Sequence, residues 1–103
     1  MAVSEHGKVE AEIVYCVARG YFPVATWLEN EFFKSDAPGD VAITMTPSDK
    51  GRLEVFLDGD KIFDRKEAGA FPDLSKVNEL KMAIAEKLFE LEDAEPEFPT
   101  ICP

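Results

Sequence analysis

The chain has 103 residues, of which 46% are hydrophobic and 11% aromatic. This size and composition predict one globular domain with a single core and exclude the low hydrophobicity that is typical of disordered proteins. Acidic residues number 21 against 11 basic ones, and the resulting net charge of -10 argues against nucleic acid and anionic membranes as partners.

A strand, a turn and a helix are predicted first along the chain. Residues 9–16 start in polar and apolar alternation and end in Ile-Val-Tyr-Cys, which indicates a β-strand. A turn follows at residues 17–20. Apolar residues at spacings of three and four then predict an amphipathic helix over residues 21–33. Pro23 fits this helix because the first turn needs no backbone donor from it.

Alternation of apolar and polar residues predicts three more strands, over residues 41–46, 53–57 and 61–65. Asp36, Pro38 and Gly39 separate the first of these from the helix, and a loop at residues 47–51 follows it. The Asp58-Gly59 pair supplies the positive φ angles of a tight hairpin turn between the other two.

A second long helix is predicted from about Leu74 to Leu91, after a loop that contains Gly69 and Pro72. Its apolar residues recur at spacings of three and four and form one stripe: Val77, Leu80, Ile84, Leu88 and Leu91. The order β-α-β-β-β-α predicts a parallel strand pair joined by the first helix, followed by an antiparallel hairpin. We therefore expect an α+β fold of the thioredoxin-like type, a four-stranded mixed sheet covered by two helices.

The predicted domain covers residues 9–91 and leaves a segment at each end. Residues 1–8 are polar and lack the apolar core of a signal peptide, so we expect a flexible N-terminus and a cytoplasmic protein. No apolar run approaches 18 residues, so no membrane span is expected. Residues 92–103 form an acidic, proline-containing tail, interpreted as a solvated segment or as a docking segment for a basic protein.

The two cysteines, Cys16 and Cys102, carry the chemistry that the sequence offers. A reducing cytoplasm disfavours a structural disulfide, and two cysteines with one histidine do not make a zinc site, so neither a metal nor a bound cofactor is expected. Cys16 lies between a strand end and a helix start, where backbone N–H groups favour a thiolate, and Arg19 adds a positive charge. The alternative is that Cys16 packs as a small hydrophobe. Cys102 is expected to be a free thiol, with the alternative that it resolves a disulfide at Cys16.

Residues 13–21, Ile-Val-Tyr-Cys-Val-Ala-Arg-Gly-Tyr, resemble the signature of the selenoprotein W / Rdx family. Further matches occur in order along the chain, at Trp27-Leu28, residues 51–55, residues 63–66 and residues 69–72. The resemblance implies a thioredoxin-like fold and a thiol-based role in redox homeostasis, with glutathione as a possible co-substrate or a protein disulfide as partner. Tyr21, Phe22 and Trp27 are expected either to support the core or to line a substrate groove.

The resemblance places Cys16 at the first redox position of the family and Arg19 at the second, where cysteine or selenocysteine stands. Since arginine is not a nucleophile, dithiol cycling within this motif is excluded. Three interpretations stay open: Arg19 replaces a selenocysteine; Cys16 works as a single thiol, activated by Arg19 and regenerated by glutathione; or the chain is a redox-inactive protein-binding module of the same fold.

Overall fold

The computed structural model describes residues 9–35 and 41–93. The elements in chain order are β1 (Val9–Cys16), α1 (Phe22–Ser35), β2 (Val41–Ser48), β3 (Leu53–Leu57), β4 (Asp60–Asp64), α2 (Arg65–Ala68) and α3 (Leu74–Asp93). The strands form one sheet in the order β2-β1-β3-β4. Strand β1 is parallel to β2 and antiparallel to β3, and β3 and β4 are antiparallel. The four-stranded mixed sheet predicted from the sequence is confirmed.

Strand β1 lies inside the sheet, and its alternate side chains belong to two different faces. Four of them are buried in the hydrophobic core: Val9, Ala11, Ile13 and Tyr15. The same core contains apolar residues of both long helices, so α1 and α3 cover one face of the sheet. An ion pair between Lys81 and Glu31, at 2.8 Å, joins the two helices. Because side chains alternate along a strand, Cys16 belongs to the face that the core does not use.

The hairpin turn between β3 and β4 has the predicted geometry. Asp58 and Gly59 both have positive φ, +50° and +91°. Asp58 also ties this turn to the start of β1: its carboxylate accepts a hydrogen bond from the Glu10 N–H at 2.9 Å, and its own N–H donates to the Glu10 carbonyl at 2.8 Å. The turn therefore fixes the end of the sheet opposite Cys16.

Strand β2 is longer than its predicted extent, residues 41–46, because it continues through Pro47 to Ser48. The predicted loop at residues 47–51 included Pro47, and proline lacks the N–H that a ladder hydrogen bond needs. In the structure β2 is an edge strand, where a residue can face away from the ladder and proline is tolerated.

The short helix α2 was not predicted; its residues divide between the predicted strand at 61–65 and the predicted loop. Asp64 caps its N-terminus by accepting a hydrogen bond from the Lys66 N–H at 2.9 Å. Gly69 ends the helix in the left-handed conformation, with its N–H bonded to the Arg65 carbonyl. Both capping residues are readable in the sequence, but four residues are too few to give a periodic pattern.

Several sequence predictions fall outside the described residues. These are the flexible segment at 1–8, the helix break at Asp36, Pro38 and Gly39, and Cys102 with nearly all of the acidic tail. Within the described part of the chain, no helix has the length and apolar character that crossing a membrane requires.

Candidate functional site

Cys16 is the last residue of β1, and backbone hydrogen bonds close the turn that follows it. The Val17 N–H donates to the carbonyl of Ser48 on β2 at 3.1 Å. The Gly20 N–H donates to the Val17 carbonyl at 3.0 Å, and the Tyr21 N–H donates to the Cys16 carbonyl at 3.1 Å. The turn thus reverses the chain within four residues and starts α1 beside the end of β1.

The sulfur of Cys16 is buried, with 1% of the residue exposed, and carries no disulfide. Burial raises the pKa of the Cys16 thiol. Backbone hydrogen bonds from Gly51, Arg19 and Ala18, together with the positive charge of Arg19, lower it by more, so the pKa lies below its ordinary value. The environment of this sulfur therefore favours the thiolate.

Gly51 brings the loop between β2 and β3 against the sulfur. It is buried and has a φ of +71°, which L side chains rarely adopt. A Cβ at this position would lie 3.3 Å from Cζ and Nη1 of Arg19 and 3.3 Å from Nη2 of Arg65. The absence of a side chain thus lets a backbone N–H reach Cys16 while two guanidinium groups approach the same residue.

Arg65, the first residue of α2, is fixed from two sides. Its Nε and Nη2 donate to the Gly51 carbonyl at 3.3 and 3.1 Å. Its Cζ lies 5.5 Å from the ring centroids of Tyr21 and of Phe71, which contact each other edge to face at 5.0 Å. Gly51 and Arg65 were not among the predicted site residues, although both lie in segments that resemble the selenoprotein W / Rdx family.

Exposed apolar side chains surround the turn. Val17, Phe22 and Phe71 are 57%, 52% and 46% exposed. Tyr21 and Trp27 are partly buried and pack against the core. The three aromatic residues considered in the sequence therefore differ in their environment. Phe22 is exposed to solvent, whereas Tyr21 and Trp27 pack against the core.

No cluster of three or more His, Cys, Asp or Glu side chains that could hold a metal ion occurs within residues 9–35 and 41–93. The chemistry that this site offers is that of a buried thiol with a lowered pKa, with Arg19 and Arg65 both at Gly51, whose backbone contacts the sulfur.

Comparison with known proteins gives consistent matches over most of the chain. The sequence model of the Rdx family matches residues 10–84. Selenoprotein W of Danio rerio is 34% identical over 87 residues, which span 78% of this chain and 95% of that protein. The crystal structure of a selenoprotein W-related protein from Vibrio cholerae superposes with a TM-score of 0.69 at 27% identity, covering 80% of this chain and 99% of that one. A Bordetella parapertussis protein shares the fold, with a TM-score of 0.62 at 18% identity over 82% of this chain and 98% of its own.

Proposed function

The chain belongs to the Rdx family, and from that premise we propose that it is a monothiol redox protein whose Cys16 exchanges with disulfides of glutathione or of proteins. One observation carries the proposal: backbone N–H groups of Ala18, Arg19 and Gly51 are hydrogen-bonded to the Cys16 sulfur and lower its pKa although the residue is buried. Such donors stabilise the thiolate, which is the form of cysteine that attacks a disulfide.

The exchange has two balanced steps. The Cys16 thiolate attacks one sulfur of glutathione disulfide, so that a protein–glutathione disulfide forms and a glutathione thiolate leaves. A second glutathione thiolate then attacks the glutathione sulfur of the mixed disulfide, which releases glutathione disulfide and restores the Cys16 thiolate. When the first disulfide is a mixed disulfide of a protein and glutathione, the cycle frees the protein thiol and consumes one reduced glutathione, which leaves with the glutathione of the mixed disulfide as glutathione disulfide.

Arg19 is the reason that the turn itself supplies no second thiol, and in the proposed reaction glutathione supplies it. Arginine stands where a resolving cysteine or selenocysteine would act, so Cys16 has no partner nucleophile within its turn. The positive charge of Arg19 instead lowers the pKa of the Cys16 thiol. We place this reaction in the cytoplasm, where reduced glutathione is abundant.

The burial of the sulfur favours a second candidate function, a redox-inactive protein-binding module. Only 1% of Cys16 is exposed, so attack on a disulfide requires the backbone around the sulfur to move. Apolar side chains beside the turn, Val17, Phe22 and Phe71, would contact a protein partner without any movement of the sulfur.

Mass spectrometry after incubation with glutathione disulfide tests the proposal. The Cys102→Ser variant limits the reaction to Cys16, and the Cys16→Ser/Cys102→Ser variant is the control without a thiol. We expect a glutathione adduct at Cys16 that reduced glutathione removes. If no adduct forms at Cys16 while the thiol at Cys102 in the Cys16→Ser variant is modified readily, the redox proposal fails and the binding module takes its place.

A further inference from the structure

The basic side chains of the described residues differ in whether a carboxylate neutralises them. Most form ion pairs with an acidic side chain: Lys34, Arg52, Lys61, Lys76, Lys81 and Lys87. Those without such a partner within residues 9–35 and 41–93 are Arg19, Lys50, Arg65 and Lys66. In a chain with a net charge of -10, two of these cations, Arg19 and Arg65, lie at Gly51, while Lys50 precedes Gly51 in the sequence and Lys66 follows Arg65.

Two of these cations meet at one point. The guanidinium groups of Arg19 and Arg65 both come within 3.3 Å of the position that a Cβ of Gly51 would occupy. Like charges this close repel each other, and an anion bound between them removes the repulsion. The Cys16 thiolate is one such anion for Arg19, whose charge lowers the pKa of that thiol.

Both arginines retain free hydrogen-bond donors. Arg65 uses Nε and Nη2 on the Gly51 carbonyl, and its Nη1 has no acceptor among the described residues. The guanidinium of Arg19 likewise has none in that part of the chain. Arginine presents its N–H groups as a planar fork that matches the two oxygens of a carboxylate. Tyr21 and Phe71 hold the Arg65 fork in place before any ligand arrives.

We infer that Arg19 and Arg65 form a carboxylate-binding subsite beside Cys16, which selects disulfides that carry a carboxylate close to the sulfur. The selection of disulfides rests on the proposed redox function, whereas the binding of a carboxylate does not. Glutathione disulfide carries such carboxylates and belongs to this class of substrate. Disulfides that carry a cationic amine and no carboxylate are disfavoured by the two arginines. Arg19 has two contacts in this arrangement, the thiolate on one side and the carboxylate of the substrate on the other.

Three small disulfides of similar length but different charge test the selection. They are 3,3′-dithiodipropionate, which is anionic, bis(2-hydroxyethyl) disulfide, which is neutral, and cystamine, which is cationic. In the Cys102→Ser background we expect the rate of adduct formation at Cys16 to fall in that order. The neutral disulfide reports the reactivity of the thiolate itself. The ratio of the anionic to the neutral rate therefore measures the contribution of the subsite alone.

Substitutions test whether the two arginines cause the difference between the anionic and the neutral rate. Arg65→Gln and Arg19→Gln should each reduce the ratio by about tenfold, as expected when a charge-assisted hydrogen bond is lost. Arg65→Lys retains the positive charge without the planar fork and should reduce the ratio less. If Arg65→Gln does not fold, Arg65→Lys replaces it in the test. Lys87→Gln removes one positive charge at the opposite end of the sheet, where Lys87 lies 3.9 Å from Asp58, and should leave the ratio unchanged. Equal rates for the three disulfides, or a ratio that no arginine variant alters, would overturn the inference while leaving the redox function intact.

A binding measurement without the thiol separates the two proposals. In the Cys16→Ser/Cys102→Ser protein, S-methylglutathione should shift the NMR signals of Gly51 and of the Arg65 Nε–H, and its diethyl ester should not. This result sustains the subsite even if none of the disulfides reacts at Cys16. If the acid and the ester shift these signals equally, or neither shifts them, the subsite does not exist.

Discussion

At the scale of single residues, the Cys16 sulfur is subject to two opposing effects. Burial disfavours its charge, whereas hydrogen bonds from Gly51, Arg19 and Ala18 and the positive charge of Arg19 favour it more. We predict that iodoacetamide alkylation of Cys16, followed against pH in the Cys102→Ser protein, has a midpoint below the value of about 8.5 for a free thiol. Arg19→Ala should raise the midpoint, because it removes the charge and leaves the three backbone donors. Lys87→Gln is the matched control and should not change it.

The same pKa predicts how stability depends on pH. Since the pKa of Cys16 is lower in the folded chain than in the unfolded chain, the thiolate contributes fully to the free energy of unfolding above about pH 8.5. That contribution is lost as the pH falls through the folded-state pKa. The difference in free energy of unfolding between the parent protein and its Cys16→Ser variant should therefore grow with pH in this window. A difference that does not vary with pH would contradict a lowered pKa.

Gly51 provides a second prediction at this scale, with Gly20 as its matched control. Both glycines have a left-handed φ, +71° and +73°, so alanine costs about 1–2 kcal/mol of backbone strain at either position. At Gly20 the added Cβ meets nothing within 4 Å, whereas at Gly51 it meets both guanidinium groups. We expect Gly51→Ala, unlike Gly20→Ala, to raise the alkylation midpoint of Cys16 as well, since the displaced loop withdraws an N–H from the sulfur. Equal midpoints in the two variants would show that the loop tolerates the side chain.

The sequence located the thiol but not the loop that faces it. Cys16 and Arg19 stand out because a cysteine between a strand and a helix has a physical reason to be ionised. Gly51 and Arg65 lie 35 or more positions further along the chain. The pairing of β1 with β2 and β3 brings the Gly51 loop to Cys16, and the pairing of β3 with β4 brings Arg65 to that loop. No local pattern encodes that proximity, so the tertiary part of the site was not readable from the residues alone.

At the scale of elements, the helix α2 positions Arg65, and Asp64 holds the start of that helix. The Asp64 carboxylate accepts from the Lys66 N–H and from the Lys61 ammonium, at 2.9 and 2.7 Å. Lys61, followed by the Lys66 N–H, keeps the pKa of Asp64 below its usual value, so its stabilising effect is lost only as the pH falls through that lowered value.

We predict that Asp64→Ala lowers the melting temperature by about 5 °C, which is usual for the loss of an N-cap in a domain of this size. Asp64→Asn retains a capping oxygen and should lose less. Asp73→Ala is the control, because the Asp73 carboxylate caps α3 in the same way, by accepting from the Lys76 N–H at 2.8 Å. Both alanine variants should be destabilised, but only Asp64→Ala should move the NMR signal of the Arg65 Nε–H. If Asp73→Ala moves that signal as much, α2 does not position the arginine.

The longer elements follow from the sequence more closely than the short ones. The periodic stripe of α3 reports a buried face over many residues, which leaves one solution for that element. At Pro47 the local preference of the residue argues against a strand, and the position of β2 at the edge of the sheet overrides that preference. The boundaries of a strand depend on which strands pair with it, and this pairing is established only when the chain folds.

At the scale of the whole molecule, the charge of -10 opposes the folded state through self-repulsion. We predict that raising the ionic strength from about 10 to about 300 mM raises the melting temperature, because salt shortens the range of that repulsion. A domain of this size gains about 4–8 °C for each kcal/mol of repulsion removed. Glu90→Lys reduces the net negative charge by two at an exposed position of α3 and should diminish the effect of salt. An unchanged melting temperature across this range would show that the repulsion does not limit stability.

Pro47 also restricts how another polypeptide can approach the thiol end of the sheet. Ser48 directs its carbonyl inward to the Val17 N–H, so its neighbour Pro47 faces the outer side of β2. An outer strand would require an N–H at that position, and proline has none. The terminus of β2 nearest Cys16 is therefore closed to β-augmentation, and a protein that reaches the sulfur has to be recognised through side chains, not through an extended backbone ladder.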